Sequence, residues 1–170
     1  PLRGENFDYI YQEVKDNVRL SSISGGTDII SCFVLGNPQL PVYRDEIQSI
    51  GLGMDVRSFN SDNKSVKNVE GELICAKPFP SMPISFWEDK NNKKYFESYF
   101  NKFPDVWHHG DFITIYDHGG VQIFGRSDTT LNPGGVRIGT SEIYNAIEDI
   151  DGIVDSIVVG QKWKHDERII

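Results

Sequence analysis

The chain has 170 residues, of which 38% are apolar and 25% charged, a composition that supports a packed core. Seventeen basic residues against 25 acidic ones leave a net charge of −8. That balance argues against a nucleic-acid or anionic-membrane partner, since both need a basic face, while nucleotide binding needs only a few local Arg, Lys or backbone N–H groups. The two cysteines, Cys32 and Cys75, lack paired-ligand spacing and read as free thiols. No apolar run approaches the ~20 residues that span a bilayer. The chain opens on Pro1-Leu2 without a leader and reads as an excerpt of a longer, cytosolic protein.

In chain order, Phe7, Ile10, Tyr11 and Val14 fall at helical spacing and predict an amphipathic helix over 7–14. Val18–Ser24 (VRLSSIS) reads as a strand running into Gly25-Gly26-Thr27-Asp28. Two glycines let backbone N–H groups approach an oxyanion, a Thr hydroxyl adds a donor, and an Asp can hold Mg2+. The same residues also suit a plain turn followed by a capping Asp. From Pro38 to Lys77 the pattern is of short strands, at Val42-Tyr43, Glu46–Ile50, Met54–Phe59 and Gly71–Ala76, cut by Gly, Pro, Asn and Asp clusters. That spacing predicts a small barrel or sheet. Pro78–Pro83 (PFPSMP) excludes a helix or central strand. Lys94–Phe103 reads as a helix with an aromatic stripe facing a core, ended by Pro104. His108 and His109 are adjacent, and adjacent side chains on a strand point to opposite faces, which disfavours a shared metal.

The stretch 107–148 carries most of the information. The apolar runs Phe112–Ile115 and Val121–Phe124, joined by Tyr116–Gly120, predict a β-hairpin. Asp111 sits at its entry and Arg126 just past its exit, so pairing would bring a carboxylate and a guanidinium into one neighbourhood. On the residues alone, a structural Asp–Arg pair is the better reading. The Gly-rich run Leu131–Gly139 leads into Thr140-Ser141-Glu142, a helix start with a carboxylate in the first turn. Ile143, Ile147 and Ile150 follow at helical spacing. Val154–Val159 reads as a further buried strand.

HHGDF (108–112), GRSDTTLNPGGVRIG (125–139) and TSEIYNAIE (140–148) resemble the signature segments of the acyl-adenylate-forming, AMP-binding acyl-CoA synthetase family. The likeness extends over nearly the whole chain. It implies an α/β fold in two parts. Residues 1–127 would be the C-terminal part of a large AMP-binding domain that includes a small β-barrel-like subdomain. Residues 128–170 would be the hinge and the start of a small α+β C-terminal domain.

The resemblance also implies an acid–thiol ligase whose substrates are ATP, coenzyme A and, from the phrases LNPGGVRIG and SEIYNAIE, acetoacetate, with Mg2+ as cofactor. Thr27 would contact the α-phosphate and Asp28 the Mg2+, with Gly25 and Gly26 beside them in the cofactor-binding corner. Asp111 would accept hydrogen bonds from both ribose hydroxyls, since two carboxylate oxygens suit a vicinal diol. Arg126 would bind the ribose or a phosphate, and Asp128 would be the hinge. Gly135 would let the pantetheine arm of CoA pass, and Arg137 would meet phosphate. Gly25 stands where acetate-activating relatives carry a bulky Trp, which implies a roomier acyl pocket. The family's catalytic Lys corresponds to no residue here and is expected beyond Ile170. A related synthetase for acetate or propionate and a non-catalytic nucleotide-binding module are the alternatives.

Overall fold

The computed structural model describes residues 1–131, 133, 138–148, 150–164 and 166–170. The chain forms two compact units, Pro1–Ile123 and Phe124–Ile170. Among the described residues no helix is long and apolar enough to cross a membrane.

The first unit opens with helix α1, Gly4–Tyr9, continued by a wider π turn over Ile10–Val14. Of the predicted apolar stripe only Phe7 is buried, Ile10 and Tyr11 are half-buried, and Val14 is exposed. Strand β1 is only Ser24–Gly26, so the strand expected from Val18 is confined to its last residues. A strand exists where a ladder partner exists, and β1 pairs antiparallel with β2 (Ser31–Leu35) only from Ser24 onward, with a register shift between Ser24 and Gly25. A single 3-10 turn, Thr27–Ile29, reverses the chain, helped by a left-handed Ile30 at φ 49°. Strand β3, Ser49–Ile50, completes a three-stranded sheet of order β1-β2-β3.

The larger sheet contains β4 (Val56–Phe59), β5 (Ser65–Val66), β6 (Gly71–Cys75), β7 (Trp107–Ile115) and β8 (Val121–Arg126). Its order is β5-β4-β6-β7-β8. The barrel-like subdomain expected for this region is therefore an open sheet with edges at β5 and β8, not a closed ring. Val42-Tyr43 forms no strand, and Glu46–Ile50 contributes β3 plus a single bridge between Ile47 and Val121.

Strand β6 is buried at all five positions, as a strand flanked on both sides should be. Its one charged residue, Glu72, is bonded by His108 Nε2 at 2.9 Å and by Lys102 Nζ, which satisfies a carboxylate that burial would otherwise penalise. The core of this unit is built from Ile29, Phe33, Val34, Leu73, Trp107 and Ile113 with their neighbours.

The 116–120 turn joins β7 to β8 as the hairpin pattern predicts, with Gly119 at φ +92° and Gly119 N–H donating to Tyr116 O at 3.0 Å. Strand β7 begins at Trp107, earlier than the sequence pattern shows, so Asp111 lies within a strand and not at its entry. Helix α2 is Lys93–Tyr99, shorter than expected. Its start is fixed by the Asp89 carboxylate, which accepts from Lys94 N–H at 3.1 Å and Tyr95 N–H at 2.9 Å. The aromatic stripe divides: Tyr95 is buried and Tyr99 and Phe100 pack on the core, but Phe96 is 53% exposed.

In the second unit β9 (Thr130–Leu131) pairs antiparallel with β10 (Ile138–Gly139). Helix α3, Thr140–Glu148, follows. Its first turn is closed by Glu142 Oε1, which accepts from Gly139 N–H at 3.1 Å, the reach-back half of a capping box. Val154–Val159 is not a strand, and Val154 is 99% exposed. The strands are β11 (Gly160–Trp163) and β12 (Asp166–Ile169), which pair with each other. Within the β-branched run at 154–159 only Val159 exchanges backbone hydrogen bonds with a partner strand end, at Ile170, among the described residues, and composition alone does not supply the rest.

Candidate functional site

The Gly-Gly-Thr-Asp corner lies at the turn from β1 to β2, and Asp111 lies on β7. These two elements meet around one imidazole. A Cβ built on Gly26 would stand 2.1 Å from Asp28 Oδ1 and 2.9 Å from His109 Cε1. The neighbouring ring atom, His109 Nε2, lies 3.8 Å from Asp111 Oδ2. The turn that carries Asp28 and the Asp111 carboxylate thus both lie beside His109, which is 8% exposed, while Asp111 is 7% exposed. Gly110, just before Asp111, has φ 84°, a conformation that glycine adopts without strain.

His109 is fixed on three sides. Trp107 Nε1 donates to His109 Nδ1 at 3.4 Å, which leaves the imidazole proton on Nε2, the nitrogen that faces Asp111. The Phe33 ring meets the imidazole edge-on at 4.7 Å. His108, one residue away, turns to the opposite face and joins Glu72, as strand alternation requires.

Asp28 is exposed, and its carboxylate is nevertheless held. Oδ1 accepts from Ile29 N–H at 3.1 Å and Oδ2 from the Tyr99 hydroxyl. Tyr99 in turn stacks on Trp107 at 3.7 Å and 15°. Among the described residues no three His, Cys, Asp or Glu side chains converge. A divalent ion at Asp28 would take its other ligands from water and substrate phosphates, the arrangement Mg2+ favours over an all-protein cage. The donor set fits Mg2+ on that ground.

Gly25 and Gly26 differ in what surrounds them. A Cβ on Gly25 would lie 2.2 Å from the Ser31 carbonyl oxygen and 2.7 Å from Cys32 Cα, both backbone of the paired strand. Close approach of β1 and β2 is therefore a sufficient reason for glycine at 25, beside any acyl pocket. Gly26 is bare because the Asp28 carboxylate folds back over it.

In the second unit the Arg126 guanidinium forks onto Asp128, with Nε 2.9 Å from Oδ1 and Nη2 on Oδ2. Gly135 and Arg137 lie outside the described residues. Tyr99, Trp107 and His109 are the members of the first-unit cluster that sequence reasoning did not place there. Tyr99 reads as one more core aromatic, and its partner Asp28 is 71 positions away. Only the i, i+2 placement of Trp107, His109 and Asp111 on one strand face signals that these three act together.

No family model matches the chain. Curated relatives do. It is 53% identical over 170 residues to the acetoacetyl-coenzyme A synthetase of Rhizobium meliloti (strain 1021) and 50% identical over 172 residues to the acetoacetyl-CoA synthetase of Gallus gallus. Both alignments cover 100% of this chain and 26% of the relative, so the chain spans about a quarter of their length. Among solved structures, the acetoacetyl-CoA synthetase from Streptomyces lividans matches 96% of this chain and 25% of its own, with TM-score 0.81 and 42% identity. An anthranilate CoA ligase in complex with anthranoyl-AMP matches at TM-score 0.64 and 17% identity over 91% of this chain and 28% of its own, which shows a shared fold.

Proposed function

We propose that this chain, homologous along its whole length to acetoacetyl-CoA synthetases, forms part of the nucleotide site of an ATP-dependent acetoacetate–CoA ligase. In the first half-reaction the acetoacetate carboxylate attacks the α-phosphorus of ATP. The bond to the bridging oxygen breaks, and pyrophosphate leaves as acetoacetyl-adenylate forms. In the second, the CoA thiol loses its proton and attacks the acyl carbon, giving acetoacetyl-CoA and AMP. The partners in this reading are small molecules: acetoacetate, ATP and CoA.

The observation that carries it is that the exposed Gly-Gly-Thr-Asp turn, with its Asp28 carboxylate, and the buried Asp111 carboxylate of β7 both lie beside His109. Thr27 donates its hydroxyl to the α-phosphate, beside the turn formed by Gly25 and Gly26. Asp28 holds Mg2+, which would neutralise phosphate charge as pyrophosphate departs. Asp111 accepts the two ribose hydroxyls, with His109 Nε2 beside its carboxylate at 3.8 Å. Burial of Asp111 suits a diol, because its hydrogen bonds then compete with little water.

In the second unit, Asp128 is the hinge of the reading and the first residue of the small domain. Arg126, whose guanidinium forks onto Asp128, is assigned to the ribose or a phosphate by the family pattern alone. Gly135 and Arg137 are assigned to the CoA side by the family pattern alone. In this reading no residue of the chain corresponds to the family's adenylation Lys, so the 170 residues by themselves are expected to bind nucleotide without turning it over.

The test is nucleotide binding by calorimetry in the full-length protein. Asp111→Asn keeps the shape but loses the second acceptor and the charge, and it should weaken AMP and ATP alike by about tenfold or more. Unchanged AMP affinity would remove Asp111 from the nucleotide site.

A further inference from the structure

We infer that Tyr99 is a positioning residue for the Asp28 carboxylate, holding it for the divalent ion of the nucleotide; this rests on the reading of Asp28 as the Mg2+ ligand. Asp28 is exposed on a three-residue 3-10 turn, where an unsupported carboxylate would sample several rotamers. Two bonds hold it in one. Ile29 N–H takes Oδ1, and the Tyr99 hydroxyl takes Oδ2. Each carboxylate oxygen retains a further lone pair after accepting one bond, so the clamp orients Asp28 without filling it.

The donor is itself rigid. Tyr99 closes α2, and its ring lies flat on Trp107 at 3.7 Å. Trp107 is 1% exposed and also donates to His109 Nδ1 at 3.4 Å. The ring of Phe86 meets Tyr99 at 5.7 Å, edge to face. A hydroxyl placed by such packing arrives already ordered, so ordering it costs nothing when the ion binds. Trp107 therefore supports both carboxylates: Asp28 through Tyr99, and Asp111 through His109. A purely structural tyrosine in this core would need no hydroxyl, since Phe fills the same stack.

The experiment uses the full-length protein, with Mn2+ as the paramagnetic stand-in for Mg2+ and a non-hydrolysable ATP analogue. Mn2+ affinity of the nucleotide complex is read by electron paramagnetic resonance, and metal-free AMP affinity by calorimetry. Tyr99→Phe keeps the stack and removes the hydroxyl. It should weaken Mn2+ binding about tenfold, equivalent to ~1.4 kcal/mol, with AMP affinity and thermal midpoint unchanged. Steady-state assays should show a raised Mg2+ requirement with kcat recovered at saturating Mg2+. Asp28→Asn should weaken Mn2+ at least as much, and Tyr99→Phe added to it should cost nothing more.

If Asp28→Asn weakens Mn2+ and Tyr99→Phe does not, the positioning role is wrong and the Asp28 assignment stands. If Asp28→Asn leaves Mn2+ affinity unchanged, the Asp28 assignment fails and the role of Tyr99 fails with it. A second loss from Tyr99→Phe in the Asp28→Asn background would show that the hydroxyl acts elsewhere and would overturn the inference.

Discussion

Gly25 and Gly26 are adjacent, and substituting each by Ala should give opposite outcomes. At Gly26 the backbone is extended, φ −140° and ψ 148°, which Ala adopts freely. The new Cβ would meet Asp28 Oδ1 at 2.1 Å, Asp28 Cγ at 3.2 Å and His109 Cε1 at 2.9 Å. Asp28 is an exposed, rotatable side chain and swings away, losing Tyr99. His109 is packed by Phe33 and Trp107 and yields only a few tenths of an ångström. The stability cost sits at the low end for overpacking, about 1 kcal/mol. The function cost is the orientation of the carboxylate, about tenfold in Mg2+-dependent ATP affinity.

At Gly25 the obstacles are the Ser31 carbonyl at 2.2 Å and Cys32 Cα at 2.7 Å. Backbone cannot rotate away, so β1 must separate from β2. The cost is expected at about 3 kcal/mol or more, the upper end of overpacking. Urea unfolding of the full-length protein measures the first quantity, and calorimetric titration with MgATP and with metal-free AMP measures the second. Gly26→Ala should leave AMP binding within about twofold. Equal stability losses for the two variants, or an unaltered Mg2+ response in Gly26→Ala, would refute the geometry assigned to this corner.

Leu73, fully buried on the central strand β6, should lose about 2–5 kcal/mol of stability on truncation to Ala, read by urea unfolding. Asp55 is held below the usual carboxylate range, chiefly by hydrogen bonds from Arg57 at 2.9 Å and then by the charges of Arg57 and Lys77, against desolvation. A depressed carboxyl stabilises above its unfolded pKa, about 3.9, and loses that contribution as pH falls through its folded value. Asp55→Asn should therefore cost up to about 1 kcal/mol at neutral pH, and the gap from wild type should close in acid. A gap that widens in acid would contradict the pairing. Burial pushes the Cys75 thiol up, so it should react with an aromatic disulfide reagent at neutral pH more slowly than the half-buried Cys32. A Cys75 that labels first would refute its burial.

Local chemistry made parts of the fold legible. The 116–120 turn announces its hairpin through Asp and Gly residues, and Glu142 announces the start of α3 through its place in a first turn. Strands whose existence depends on a distant partner were read less well. Val18–Ile23 and Val154–Val159 have β-branched composition, yet no described ladder includes them except through Val159, whose N–H and C=O pair with Ile170. The strand at Ser31–Leu35 is not among those the sequence pattern predicts, although it is the centre of its sheet. Closure was unreadable for the same reason: short strands at even spacing fit a barrel and an open sheet alike.

At the site, Thr27, Asp28 and Asp111 stand out only through family resemblance, and their residue types alone leave structural explanations open. Tyr99 was hidden because an aromatic at helical spacing is ordinarily core. Its hydroxyl matters only once α2 is laid against the β1–β2 turn, a juxtaposition no local pattern encodes. His109 was hidden behind His108, since a histidine pair draws the eye to metals while the strand sends the two rings to different faces.

The most direct test of the account is carboxylate-dependent ATP–pyrophosphate exchange by the full-length protein, with acetoacetate, acetate, propionate and butyrate compared at equal concentration. The account predicts exchange strongest with acetoacetate. Exchange strongest with acetate or propionate would contradict the substrate assignment, and no exchange with any of the four acids would contradict the ligase activity itself.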